Sequence, residues 1–214
     1  MVTKQVSKIL GFSLIELLVS IAIFFMMTTL LIANYGRFDS RVLLTNLAYD
    51  VALAVRTAQT YGLSVQGYQS GGSNPVYQYP YGVTFCALSA GCDGENGTSY
   101  NNQQVILFAD ATSDRVLNSS DSRVTPWYNI KRGATISQIC EKNGGNWTAC
   151  DKKRVDITFQ RPNPEAIICV NYGPVGSALS CGTKSKEVRI TVKSNDNSER
   201  YIVVNKTGQI SVEN

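Results

Sequence analysis

One apolar run dominates the hydropathy pattern of the chain. From Phe12 to Ile32 the only charged residue is Glu16. A run of about 20 residues rising roughly 1.5 Å each matches a hydrocarbon core of about 30 Å and predicts a membrane-spanning helix. Beyond it, Leu44, Leu47, Ala48, Val51, Ala54, Val55 and Ala58 recur at three- and four-residue steps, with Asn46, Asp50 and Thr57 off that stripe. Gly62 and the polar, glycine-rich stretch after it stop the pattern. The two patterns join into one long helix from about Phe12 to Tyr61. Its first half belongs in the membrane and its second half packs on a globular head. Gly36 is a weak point where that helix could bend, and no proline occurs before Pro75.

The period then changes to two. YPYGVTFCAL, QQVILFAD, RVDITFQ, AIICVNY, KEVRITVKS, ERYIVVN and GQISVEN are short β-branched or aromatic runs between polar, glycine- or proline-bearing turns. Val188, Ile190 and Val192 point one way, and Tyr201 and Val203 are expected to continue that face. NDNSE, and NKTG at 205–208, read as hairpin turns. SVQGYQSGGSNPVYQYPYG reads as a tyrosine-rich surface loop. The expectation is an α+β fold, a long N-terminal helix packed on an antiparallel β-sheet head.

Charge and cysteine placement sharpen the topology. Lys4 and Lys8 are the only charges ahead of the apolar run, so its start stays cytoplasmic and the remainder crosses. The run is longer than the apolar region of a secretory signal peptide, and no A-x-A pattern follows Ile32. Without Lys4 and Lys8 the formal charge falls from +4 to +2, a balance that argues against a dedicated nucleic-acid or membrane-surface binder. The chain contains no histidine, which excludes imidazole-dependent catalysis and His-ligated zinc. Cys86, Cys92, Cys140, Cys150, Cys169 and Cys181 all lie beyond the run, an even count that reads as disulfides formed in an oxidising compartment. Pairing of chain neighbours, Cys86 with Cys92, Cys140 with Cys150 and Cys169 with Cys181, is the simplest proposal. No C-x-x-C spacing supports a metal site instead.

Glu16 remains to be explained. A charge inside a bilayer costs about 2.5–3.5 kcal/mol at the centre and less towards an end, so a partner is expected. The stretch KILGFSLIELLVSIAI resembles the prepilin signature of type IV pilins and type II secretion pseudopilins. The resemblance implies a leader, residues 1–11, cut by a prepilin peptidase between Gly11 and Phe12, followed by N-methylation of Phe12. It implies that Glu16 pairs with the amino-terminus of a neighbouring subunit in a filament, two costly charges offsetting one another. The resulting division is a leader at 1–11, a transmembrane helix at 12–33, an amphipathic continuation at 34–62 and a β-rich head at 63–214. In the head, PYGVTF, VILFADATSDRVLNSSD, DITFQRPNPEAII and the closing RYIVVNKTGQISVE look like minor pseudopilins of the GspH and FimT group. The insertion from Ile139 to Lys153 has no counterpart there. Many pilins carry a proline in the membrane segment, and this chain departs from them.

Three local features compete with ordinary readings. Asp110, Asp114 and Asp121 share one loop, and oxygen-rich loops can hold Ca²⁺, but the spacing is not that of an EF-hand and acidic turns are common. Lys131, Arg132, Lys152, Lys153 and Arg154 could contact DNA phosphates, although such runs are usually solvated surface. Asn96, Asn118, Asn146 and Asn205 match the glycosylation pattern and read first as loop residues. No nucleophile–base constellation is visible, so the chain is expected not to be an enzyme and to need no cofactor. The expected partners are other pilin or pseudopilin subunits, the prepilin peptidase and the inner membrane, with the head outside the cytoplasm. The alternative is a filament-tip module whose head captures DNA or a surface ligand.

Overall fold

The computed structural model describes residues 11–68, 76–93, 99–124, 128–131, 133–171, 181 and 183–213 (backbone only at 33–39, 93, 143, 148–149, 171 and 183). Helix α1 (Leu14–Leu63) runs for 50 residues and passes Gly36 without a break. It contributes to two compact units, Met1–Asp39 and Ser40–Asn214. In the first unit, Leu14–Ile32 is long and apolar enough to cross a membrane, and none of it is buried.

In the second unit the expected stripe is the buried one. Leu44, Leu47, Ala48, Val51, Val55 and Ala58 are buried, whereas Asn46 and Asp50 are exposed. Each large aliphatic side chain so placed contributes about 1.5–3 kcal/mol. The helix ends against a strand: a β-carbon on Gly62 would run into the Phe159 carbonyl oxygen, and the Gly62 carbonyl accepts from Arg161 N at 3.1 Å.

All remaining regular elements described are strands. They are β1 (Tyr81–Cys86), β2 (Cys92–Asp93), β3 (Ser99–Tyr100), β4 (Gln104–Ala109), β5 (Ser122–Arg123) and β6 (Tyr128–Asn129). The chain continues through β7 (Thr135–Asn143), β8 (Asn146–Lys152), β9 (Arg154–Gln160) and β10 (Asn163–Asn171). It closes with β11 (Thr183–Ser185), β12 (Glu187–Lys193), β13 (Glu199–Asn205) and β14 (Ile210–Glu213). A seven-stranded sheet has the order β11-β10-β9-β1-β4-β5, with β6 also on β4. A five-stranded sheet has the order β14-β13-β12-β7-β8, and β2 pairs with β3. Every pairing is antiparallel. The fold is therefore α+β.

Both large sheets and the helix stripe meet in a single core. It holds Val83, Phe85, Val105, Ile157 and Phe159 from one sheet and Ile136, Ile139, Val188, Ile190 and Val192 from the other. The face expected to continue from Tyr201 and Val203 is corrected. Ile202 and Val204 enter this core, because Ile202 lies opposite Ile190 and Val204 opposite Val188. Directly opposed residues of antiparallel strands share a face, which sends Tyr201 to the outer side. Both hairpin turns are present: Ser194 N donates to Ser198 O at 3.0 Å, and Gly208 N donates to Asn205 O at 3.0 Å with φ of 81° at Gly208. The stretch from Ile139 to Lys153 lies in the β7–β8 hairpin, closed by Gly144 and Gly145 at φ 60° and 93°, the geometry glycine adopts freely in two-residue hairpin loops.

The seven-stranded sheet is covered on its second face as well. Cys86, Cys92, Tyr100, Ile106, Phe108 and Leu117 form a separate buried cluster there. This is why β1 is buried at every position and β4 reads VILFA without alternation.

Candidate functional site

The N-terminal segment is built around its first helical turn. Ser13 precedes the helix, and its Oγ accepts from Glu16 N at 3.3 Å. Ser13-x-x-Glu16 is thus the S-x-x-E helix-start motif, a role for Glu16 that the membrane argument leaves out. A carboxylate in the first turn also complements the positive end of the helix dipole. Gly11, Phe12 and Glu16 are exposed, and a β-carbon at Gly11 would meet nothing within 4 Å. The Gly11–Phe12 junction is sterically open.

The acidic loop lies on the outer face of the seven-stranded sheet, between β4 and β5. Carboxylate oxygens of Asp110, Asp114 and Asp121 come within 4.8 Å of one another. Each is already engaged by the loop backbone. Asp110 accepts from Asp114 N at 3.2 Å and Arg115 N at 3.1 Å. Asp121 accepts from Ala111 N and Asn118 N, both at 2.8 Å, and Asp114 accepts from Val116 N at 3.1 Å. These bonds shape the loop.

Beneath the loop is a buried ion pair. β9 sends Val155, Ile157 and Phe159 into the main core and Arg154 and Asp156 to the other face. The Arg154 guanidinium donates to Asp156 Oδ1 and to the Leu117 carbonyl, both at 2.7 Å. Asp156 Oδ1 accepts from Leu117 N at 3.3 Å. One residue, Leu117, is thus held through both its backbone groups, with its side chain in the second apolar cluster.

Burial pushes Asp110 upward, and it pushes Asp121 to about 6, with Asp110 beside it adding to the rise against the lowering by the Asn118 and Ala111 amides. A folded-state value above the ordinary carboxylate range means that the fold favours the protonated form. Its contribution is therefore complete below about pH 4 and is lost as pH rises through about 6. Accordingly, the melting temperature of wild type relative to Asp121→Asn should decline between pH 4.5 and pH 7.5. Thermal melts of both proteins at the two pH values check this, and a constant difference would contradict it.

The candidate basic surface is not assembled among the described residues. Lys152 and Arg154 are buried and ion-paired, Lys152 with Asp151 at 2.9 Å and Glu141 at 3.9 Å. Alternation along β8 and β9 turns them inward. Lys131 is exposed, and Arg132 lies outside the described residues. Asn146 is exposed at the β7–β8 turn, Asn118 and Asn205 are bonded within their own loops, and Asn96 lies outside the described residues.

All six cysteines are paired, Cys86–Cys92, Cys140–Cys150 and Cys169–Cys181, each with its chain neighbour. The first bond ties β2 to the end of β1, the second crosses the β7–β8 hairpin, and the third ties Cys181 back to β10. On the inner side, Tyr128 Oη donates to Asp50 Oδ2 at 2.9 Å. Burial and the Asp50 carboxylate push Tyr128 up to about 12, so it stays a phenol and pins β6 to α1. Two clefts of about 170 Å³ share these residues in their linings, each smaller than the several hundred Å³ usual for a cofactor site. Comparisons with protein-family models, characterised proteins and solved structures find no match to this chain.

Proposed function

We propose that this is a single-pass membrane protein whose disulfide-bonded head lies outside the cytoplasm. More particularly, it is a minor pilin or pseudopilin, a structural subunit of a type IV pilus or type II secretion pseudopilus. The observation that carries the reading is the stretch Gly11-Phe12-Ser13-Leu14-Ile15-Glu16. It sets an exposed small-residue junction directly before the unburied apolar stretch Leu14–Ile32, whose sole charge sits in the first turn of α1. Three disulfides beyond that helix support an oxidising compartment for the head. The burial of Lys152 and Arg154 removes residues on which the DNA-capturing alternative depended, and the structural-subunit reading is preferred.

Processing tests the proposal. Co-expression with a prepilin peptidase should shorten the chain by its eleven-residue leader, and Gly11→Val should abolish the shift on a gel. A chain that keeps its full length in a processing-competent host would contradict the family reading.

A further inference from the structure

The outer face of the five-stranded sheet carries chemistry that a structural subunit does not require. The Arg189 guanidinium lies between two rings, 4.9 Å from the centre of Trp147 and 4.8 Å from that of Tyr201. This clamp holds its Nη2 3.7 Å from the Cys140 sulfur, towards which it donates. Cys140 is buried, whereas its partner Cys150 is partly exposed. Lys142 lies over the same Trp147 ring at 5.3 Å and is paired with Glu187 at 2.9 Å. Farther along the hairpin, Glu141 faces Lys152 at 3.9 Å. Lys142 and Lys152 each face carboxylates, and among the described contacts Arg189 is the cation that reaches the disulfide.

We propose that Cys140–Cys150 is a thiol–disulfide exchange site for an external dithiol, with Cys150 the sulfur attacked and Cys140 the leaving group held by Arg189. A thiolate of the dithiol attacks Cys150 Sγ, and the bonding pair of the S–S bond departs on Cys140 Sγ. The second thiolate of the dithiol then attacks its own sulfur in the mixed disulfide and releases Cys150. The dithiol loses two electrons and becomes a disulfide, and Cys140 and Cys150 gain those electrons and take up two protons. A cation next to a sulfur lowers its thiol pKa, and a thiol of lower pKa leaves faster. Neither other bond has such a donor among the described contacts. Cys86 accepts from the neutral Leu88 amide at 3.4 Å, Cys92 faces the Lys153 carbonyl at 3.5 Å, and no cation contact is described at Cys169 or Cys181.

The bland alternative is that Trp147 and Arg189 only cover the bond, and it makes the opposite forecast. If Arg189 were mere cover, removing it would speed reduction. If it holds the leaving thiolate, removal slows the reaction. The full chain in detergent is treated with dithiothreitol, quenched by alkylation at intervals, and each bond is followed by peptide mass spectrometry. Cys140–Cys150 should open first, Arg189→Met should slow its opening by ~threefold or more while leaving Cys169–Cys181 unchanged, and Arg189→Lys should restore most of the rate. Opening of Cys140–Cys150 in Arg189→Met at the wild-type rate or faster, or prior opening of another bond in wild type, would overturn the proposal. Should Arg189→Met lose its melting transition, the Cys150→Ser chain serves. Its lone Cys140, followed by thiolate absorbance, should titrate below the ordinary thiol value of about 8.5, and a value at or above that overturns the assignment.

Discussion

Glu16→Ala is expected to insert, lose its leader and fold its head as wild type does, yet to be depleted from filaments. Removing a carboxylate from an apolar run eases insertion by a few kcal/mol at most. Head folding rests on the core of the second unit, from Leu44 onward, and does not draw on residue 16. Loss of the first-turn carboxylate costs the helix start about 0.3–1 kcal/mol, too little to unravel a 50-residue helix. On the proposed pairing, however, the variant would leave a neighbour's ammonium without its counter-charge in an apolar setting. Breaking a buried pair from one side costs roughly 3–5 kcal/mol, more than about a hundredfold in an association constant. The ratio of protein in sheared filaments to protein in the membrane checks this, and a wild-type ratio would show that Glu16 serves only the helix start.

The second large effect is on stability. Arg154→Met should lower the unfolding free energy of the head by roughly 3–5 kcal/mol, because Asp156 stays buried with its cation gone. The variant also loses the donor to the Leu117 carbonyl that anchors the acidic loop. For a unit of this size such a loss lowers the melting temperature by roughly 6–20 °C. Adding Asp156→Leu should recover much of it, since an apolar pair of similar volume is often as stable as a buried ion pair. Differential scanning of the single and double variants measures both, and a single variant melting with wild type would refute the anchoring role.

The elements were easiest to read where only one face is covered. The α1 stripe from Leu44 to Ala58 and the alternation Val188-Ile190-Val192 both identify the core side, although Thr191 on the other side of β12 is buried as well. β13 misleads because YIVV is apolar at four successive positions, and the register with β12, not composition, decides that Ile202 and Val204 enter the core. RVDITFQ likewise alternates like a strand with one wet face. Its Arg154 and Asp156 are buried because a loop from a distant part of the chain, residues 110–121, lies over them. The basic run at 152–154 dissolves because Lys152, on β8, pairs with Glu141 and Asp151, whereas Arg154, on β9, turns under that loop. Of the candidate site, the Gly11–Phe12 junction and Glu16 are local and legible in sequence. The S-x-x-E motif was legible too. The meeting of Trp147, Arg189, Tyr201 and Cys140 was not, because four strands have to be in register before those residues become neighbours.

The central claim is that this chain is processed and built into a filament, and one measurement addresses it. Filaments sheared from a competent host are purified and the N-terminal peptide of this protein is sequenced by mass spectrometry. The account predicts a peptide that begins at Phe12 and carries a methyl group on its amine. Recovery of the protein only in membranes, with an N-terminal peptide that still begins at Met1, would contradict it.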